Sequence, residues 1–160
     1  MRSFKYTQVV PSLSPVFADD HEDLVVFLRE ADLTTSGLDS ETAHLWIQRD
    51  HSAAIIASTG FESSDDGQHA LIRSVAVRKS ARSNGLGLLL ARFAMDRAVD
   101  GGASTAWLFS RRSGPFWQKL GFEIADKDEL AQVLRNTAQV RLFVESGQLG
   151  REVAWSRSVP

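Results

Sequence analysis

Apolar and polar positions along the chain follow two periods, and the switches between them mark out the elements. Phe4 to Val10 alternates loosely and predicts a first strand. Pro11 to Pro15 is a turn-rich break. Behind Asp19 and Asp20, the residues Leu24, Val25, Phe27, Leu28 and Ala31 fall on one helical face. Acidic residues crowd its first turn, which suits the helix dipole. Leu33 to Ser40 reads as a loop. His44–Gln48 and Ala53–Thr59 read as strands joined by a short turn around Arg49 to His51. Asp65-Asp66-Gly67 signals a tight hairpin, because Asp-Gly tolerates positive φ, and Leu71–Val77 is the strand after it.

From Gly85 the period becomes helical. Leu86, Leu89, Leu90, Phe93 and Ala94 form a stripe with Arg97 and Asp100 on the polar side, and Gly101-Gly102 stops the helix. Thr105–Phe109 is a short buried strand. Gly114-Pro115 opens another helix, since proline costs nothing at a first helical position. Gly121 ends it, and Phe122–Ile124 is extended. Asp128–Leu134 predicts a helix and Glu152–Trp155 a last strand. This order predicts one α/β domain over residues 1–160, with a mixed sheet and helices.

Composition narrows the class. At 160 residues and 17.6 kDa the chain is long enough for one self-sufficient core. A 43% hydrophobic and 24% charged balance excludes general disorder and fibrous repeats. The absence of cysteine excludes disulfides, thiolate metal sites and a cysteine nucleophile. Four histidines at 21, 44, 51 and 69 show no metal spacing, so no metal is expected. No apolar run approaches the roughly 20 residues of a membrane span, and no basic–apolar segment opens the chain. A cytoplasmic enzyme or binding module is the expectation.

The net charge of −2 argues against nucleic acid as partner, but the charge is unevenly spread. Residues 1–72 hold 4 basic and 12 acidic groups, whereas residues 73–119 hold 9 and 2. Half of all Lys and Arg therefore lies in less than a third of the chain. That block is either a solvated basic face or a cradle for an anionic ligand.

The segment Ala70 to Gly87 favours a cradle. A strand runs into a short basic loop with Arg78, Lys79 and Arg82, and the loop opens a helix at Gly85. A helix N-terminus offers unpaired N–H groups and partial positive charge, and glycine lets a phosphate come close. The loop is no Walker motif, because no Gly-Lys-Ser/Thr follows, and it lacks the third glycine of a dinucleotide fingerprint.

At these residues the chain resembles the GCN5-related N-acetyltransferase (GNAT) superfamily. Arg82-Ser83-Asn84-Gly85-Leu86-Gly87 matches its R/Q-x-x-G-x-G/A acetyl-CoA loop, and Val75-Ala76-Val77 matches the strand before that loop. Phe116-Trp117-Gln118-Lys119-Leu120-Gly121-Phe122 matches its second signature, and the resemblance spans at least residues 44–125. It implies a mixed sheet splayed between its fourth and fifth strands, with helices on both faces. It implies acetyl-CoA as co-substrate, its pantetheine arm on Val75, Ala76 and Val77. Its pyrophosphate would sit on the N–H groups from Arg82 through Leu88. Phe116 and Trp117 would lie beside the cofactor, or would be helix core.

Within the superfamily the chain is similar to the arsenic-resistance N-acetyltransferases. The similarity lies in Ser58-Thr59-Gly60-Phe61-Glu62, Leu71-Ile72-Arg73-Ser74-Val75-Ala76-Val77 and the Leu33–Asp39 loop. That group resembles the acetyltransferase half of N-acetylglutamate synthases and implies a small amino-acid-like acceptor. The chain departs from it at Ser110-Arg111-Arg112-Ser113, where a Thr-rich stretch is usual, and in the tail from Gln139 to Val153.

Acetyl transfer to an amine needs loss of a proton from the ammonium, donors for the oxyanion and a departing thiolate. In this family the amine attacks directly. Glu62, late in its strand, is either the base or a solvent-facing strand end. Arg73, two residues before Val75 and so on its face of a regular strand, either grips an acceptor carboxylate or pairs with a surface acid. Arg111 and Arg112 follow the fifth strand, where the acceptor pocket should lie, or they serve the coenzyme or face solvent. The resemblance makes the Val75 N–H the oxyanion donor. The family's usual thiolate acid, a tyrosine, is here Trp117, which leaves water, a hydroxyl such as Ser113, or departure of the thiolate unassisted; the single tyrosine is Tyr6.

The leading expectation is an acetyl-CoA-dependent N-acetyltransferase acting on a small amine, with homodimerisation left open. Two rivals stand beside it: a non-catalytic acyl-CoA sensor, and an acetyltransferase for protein or peptide amines.

Overall fold

The computed structural model describes residues 12–82 and 85–160; the strand expected over Phe4–Val10, Tyr6, and the loop residues Ser83 and Asn84 lie outside them. Among the described residues, seven strands join in one sheet. They are β1 (Ser14–Pro15), β2 (Ala43–Arg49), β3 (Ile55–Ser63), β4 (His69–Val77), β5 (Thr105–Phe109), β6 (Glu123–Ala125) and β7 (Ala154–Ser158). Their spatial order is β1-β2-β3-β4-β5-β7-β6. Of these neighbours only β4 and β5 run parallel, which requires a crossover, and the helix α2 (Leu86–Asp100) supplies it.

The alternation of side chains sorts the core onto two faces. On one face Phe61, Ala70, Ile72, Ala106 and Leu108 meet Ala91, Ala94 and Met95 of α2 and Trp117 of α3 (Gly114–Lys119). On the other, Leu45, Ile47 and Ile55 meet Leu24, Phe27 and Leu28 of α1 (His21–Glu30). Farther along that second face, Leu71 and Trp107 meet Leu130 of α4 (Lys127–Val133) and Val140 of α5 (Ala138–Glu145). The mixed sheet with helices on both faces is the architecture expected.

Two details position the site. Pairing of β4 with β5 covers only His69 with Thr105, Ala70 with Ala106 and Leu71 with Trp107, although β4 continues to Val77. The two strands part there, as the splay required. In addition, Ser58 pairs with Ala76 whereas Gly60 pairs with Arg73, so Ser74 and Val75 together face Thr59. This is a bulge of one residue, and Ser74 adopts φ 62° to make it.

Several elements differ from expectation: β1 lies in the stretch read as a turn-rich break, and β3 runs past the expected end at Thr59 to Ser63, which brings Glu62 into the strand. The α2 seam is Leu90, Ala91, Ala94, Met95 and Ala98, rotated from the predicted stripe, with Leu86, Leu89 and Phe93 half-buried. Small alanines let the helix approach the sheet closely enough for Thr59 Oγ1 to donate to Leu90 O at 2.7 Å. The last strand is Ala154–Ser158, not Glu152–Trp155, and it enters between β5 and β6. Helix α5 is additional to the predicted elements; Thr137 caps it by accepting from the Val140 N–H.

Candidate active site

Helix α2 begins at the end of the basic loop. Gly85 is its N-cap with φ 83°, a left-handed conformation that glycine adopts without strain, and no side chain among the described residues caps the helix. The first turn therefore presents its orphan N–H groups at Leu86, Gly87 and Leu88 without a side-chain acceptor there. A Cβ at Gly85 would meet nothing within 4 Å among the described residues, and one at Gly87 would meet only the Phe116 ring at 3.7 Å. The approach to this backbone is open. Arg82 Nε donates to Val77 O at 3.2 Å and fastens the loop to the end of β4. Arg78 pairs with Asp50 at 3.1 Å, away from the glycines in sequence.

Beyond Leu71 the β5-side edge of β4 has no neighbouring strand among the described residues, so Ile72 to Val77 can accept an extended ligand by edge addition. An uncapped helix start, two glycines with room above them and an open strand edge suit a long ligand with a pyrophosphate at one end. The residues present therefore fit acetyl-CoA. Val75 packs toward α2, and Ala76 toward α1. Arg73 shares the face of Leu71 and Glu62, opposite Val75. The expectation that Arg73 and Val75 lie on one face is thus corrected: the bulge inserts a residue and inverts the alternation after Arg73.

Glu62 and Arg73 form a buried pair, Arg73 Nη1 to Glu62 Oε2 at 2.9 Å, with both side chains fully excluded from solvent. Glu62 Oε1 accepts from Thr42 Oγ1 at 2.6 Å and from the Ala138 N–H at 2.7 Å; Oε2 also accepts from the Gln139 N–H at 3.1 Å. Ala138 and Gln139 are the first two residues of α5, so Glu62 satisfies two of that helix's orphan donors at its positive end. Arg73 donates to Ser36 O at 2.8 Å, Thr34 O at 3.2 Å and Ser74 Oγ at 3.2 Å. Burial pulls the Arg73 guanidinium below its ordinary pKa, and the Glu62 carboxylate opposes that shift.

The strand-to-helix turn after β5 carries the remaining candidates. Ser113 is the N-cap of α3, is exposed, and its hydroxyl makes no cap bond. Arg111 Nε lies 3.5 Å from Glu152, with the arginine half exposed, and Arg112 pairs with Asp32 at the surface. Trp117 is a core residue, edge-to-face with Phe116 at 4.9 Å and with Phe122 at 5.4 Å. Phe116 is half-buried and lies against Gly87, so the second signature touches the first through one ring.

A model of the acetyltransferase (GNAT) family matches residues 7–122. The chain belongs to the GNAT family. No curated protein sequence matches it. Among solved structures it is similar to N-acetylglutamate synthase from Neisseria gonorrhoeae, complexed with coenzyme A and N-acetyl-glutamate. That likeness has 16% identity and a TM-score of 0.71 over 93% of this chain and 35% of that one. The chain thus spans about a third of that enzyme's length. It is also similar to a GNAT acetyltransferase from Staphylococcus aureus (12% identity, TM-score 0.68, 93% and 99% covered). A third similar structure is a Mycobacterium tuberculosis protein in complex with coenzyme A (11%, 0.67, 94% and 100%).

The glycine-led loop carries a local pattern, and what lies behind β4 does not. Thr42 and Gln139 bond Glu62 and no local motif marks them, while Ser58 and Ser74 lie within the quoted segments without a pattern that announces their contact. Asn136-Thr137 followed by Val140 and Phe143 is the available signal for α5, a cap ahead of apolar residues three apart.

Proposed function

We propose that this GNAT enzyme acetylates the primary amine of a small, amino-acid-like acceptor by direct attack. The observation that carries the reading is the juxtaposition of an uncapped glycine-led helix start with the parted, bulged edge of β4. Acetyl-CoA supplies the activated acetyl group. The N–H groups of Leu86, Gly87 and Leu88, with Arg82, Ser83, Asn84 and Gly85, hold its pyrophosphate, and Val75, Ala76 and Val77 hold the arm. The Val75 N–H, on the bulge, donates to the developing oxyanion. The Ser113 hydroxyl, free of capping, passes to the departing sulfur a proton that it regains from water, and water takes the proton that the amine gives up.

Glu62 accepts four hydrogen bonds and is fully buried, which supports a holding role for it over a base role. Arg73 is likewise occupied and fully buried, whereas Arg111, half exposed and held to Glu152 only at 3.5 Å through Nε, keeps its other donors for an acceptor carboxylate. Similarity to the arsenic-resistance group, and the N-acetyl-glutamate bound by the Neisseria gonorrhoeae enzyme, support an acceptor of that class.

Thiol release from acetyl-CoA, measured with amino acids, their amides and short peptides, tests the reading. Free amino acids should react best, and Arg111→Met should raise their KM about tenfold, the loss of one charge-assisted contact. Equal reaction of amides and acids, unchanged by Arg111→Met, removes the carboxylate site. Preference for peptides removes the small acceptor.

The coenzyme loop has its own test. A Cβ at Gly87 finds ordinary contact with Phe116, so Gly87→Val should fold. Its branched side chain should nonetheless stand where the phosphates approach the backbone, and coenzyme A affinity by calorimetry should fall at least about tenfold. Unchanged affinity in the folded variant would refute the site.

A further inference from the structure

The geometry points to the Glu62–Arg73 pair as a positioning clamp that fixes the β4 bulge and the 34–36 loop to one another through the start of α5. This rests on the reading of Val75 as oxyanion donor.

The connections are all short and mostly buried. At the centre, Glu62 and Arg73 meet at 2.9 Å. Toward the bulge, Arg73 Nε donates to Ser74 Oγ at 3.2 Å, and Ser58 Oγ donates to Ser74 O at 2.6 Å. Ser74 is the residue with φ 62°, and such a backbone persists only where its surroundings over-determine it. Toward the loop, the same guanidinium donates to Thr34 O and Ser36 O, while Gln139 Nε2 donates to Thr34 Oγ1 at 2.8 Å. Toward α5, Glu62 takes the first two N–H groups. One guanidinium thus bonds both the residue before Val75 and the loop that leads into β2.

The consequence is specific to the reaction. The oxyanion donor sits on the bulge, and the loop lies on the face of β4 away from α2. With coenzyme entering from the α2 side, the acceptor must come from the loop side. A fixed distance between bulge and loop then sets how the amine meets the acetyl carbon, and displacement of about 1 Å costs such a step about 10²-fold. Glu62 and Arg73 are positioning residues here, not proton carriers.

Glu62→Gln is the central variant. It keeps volume but replaces one accepting oxygen with a donor, which must then face an α5 N–H, the Thr42 hydroxyl or the guanidinium. Thr42→Val removes one bond from the same carboxylate and serves where Glu62→Gln folds poorly. Amide hydrogen exchange on the whole protein should quicken about tenfold at both Thr34–Ser36 and Ser74–Val75, with α2 amides within about twofold of wild type. With any amine that gives wild-type thiol release, kcat should fall about tenfold or more while coenzyme A affinity stays within about twofold. The kcat/KM–pH profile should keep its shape at a lower plateau.

Three results overturn the clamp. Exchange that quickens at the loop but not at the bulge in both variants is one. Wild-type kcat in folded Glu62→Gln is another. The third is loss of the acidic limb with exchange unchanged, which makes Glu62 the base. A wild-type protein that binds coenzyme A yet acetylates no amine refutes the acceptor reading instead, and exchange still decides the clamp.

Discussion

Glu62→Ala should destabilise the protein by about 3–5 kcal/mol, because it removes one partner of a buried ion pair and leaves the other uncompensated. The Arg73 guanidinium would keep Thr34 O, Ser36 O and Ser74 Oγ, all neutral, and lose the anion beside it. Two N–H groups at the start of α5 and the Thr42 hydroxyl would lose their acceptor at the same time. For a domain of this size each kcal/mol shifts the melting temperature by roughly 2–4 °C, so a fall of roughly 6–20 °C is expected. Arg73→Met should cost a similar amount by stranding the carboxylate. The double variant Glu62→Leu with Arg73→Met strands neither charge and should be more stable than either single change. Urea unfolding of wild type, these variants and Glu62→Leu alone checks the cycle. Single variants within about 1 kcal/mol of wild type would show that the pair does not hold β3, β4 and α5 together.

The burial of that pair explains why part of the site is legible in the sequence and part is not. The glycine-led loop reads locally: Arg82, Gly85 and Gly87 sit within six residues, and the apolar run after them announces the helix they open. Helix starts and strand-to-helix turns need only near neighbours, so the pattern places β4, α2, β5 and α3 within two residues of their bounds. Glu62 has partners at 42, 73, 138 and 139, and no local pattern announces a contact across 76 positions. Without α5, a carboxylate late in β3 looks exposed, when it is in fact the acceptor for that helix's first turn. The bulge is hidden for another reason. Leu71, Arg73 and Val75 alternate as a regular strand would, and only the pairing with β3 shows that Ser74 is the additional residue. Trp117 illustrates the converse, since its place in a known signature suggests a cofactor contact while its neighbours Phe116 and Phe122 make it core.

Gly37→Ala should disturb the same region from the loop side. Gly37 has φ 64°, and a Cβ built there lands on the Cβ of Ala138, the first residue of α5. Alanine therefore meets a left-handed backbone and a steric overlap together. Relief requires the loop to lift from the helix, and lifting it takes Thr34 O and Ser36 O away from the buried guanidinium. Each stranded donor costs about 1–3 kcal/mol, and the left-handed alanine adds about 1 kcal/mol, so a loss of roughly 3 kcal/mol or more is expected. Coenzyme A affinity should hardly change, because the loop packs on the sheet face away from α2. The acceptor KM should rise if the loop walls the acceptor side. Ala138→Gly removes the atom that the new methyl group at position 37 would strike. In the double variant the overlap is gone and only the backbone strain remains, so most of the lost stability should return. Thermal unfolding of the two single variants and the double decides the matter. If Gly37→Ala melts with wild type, or if Ala138→Gly restores nothing, the loop is not seated on α5 through this contact, and the guanidinium keeps its carbonyls by some other support.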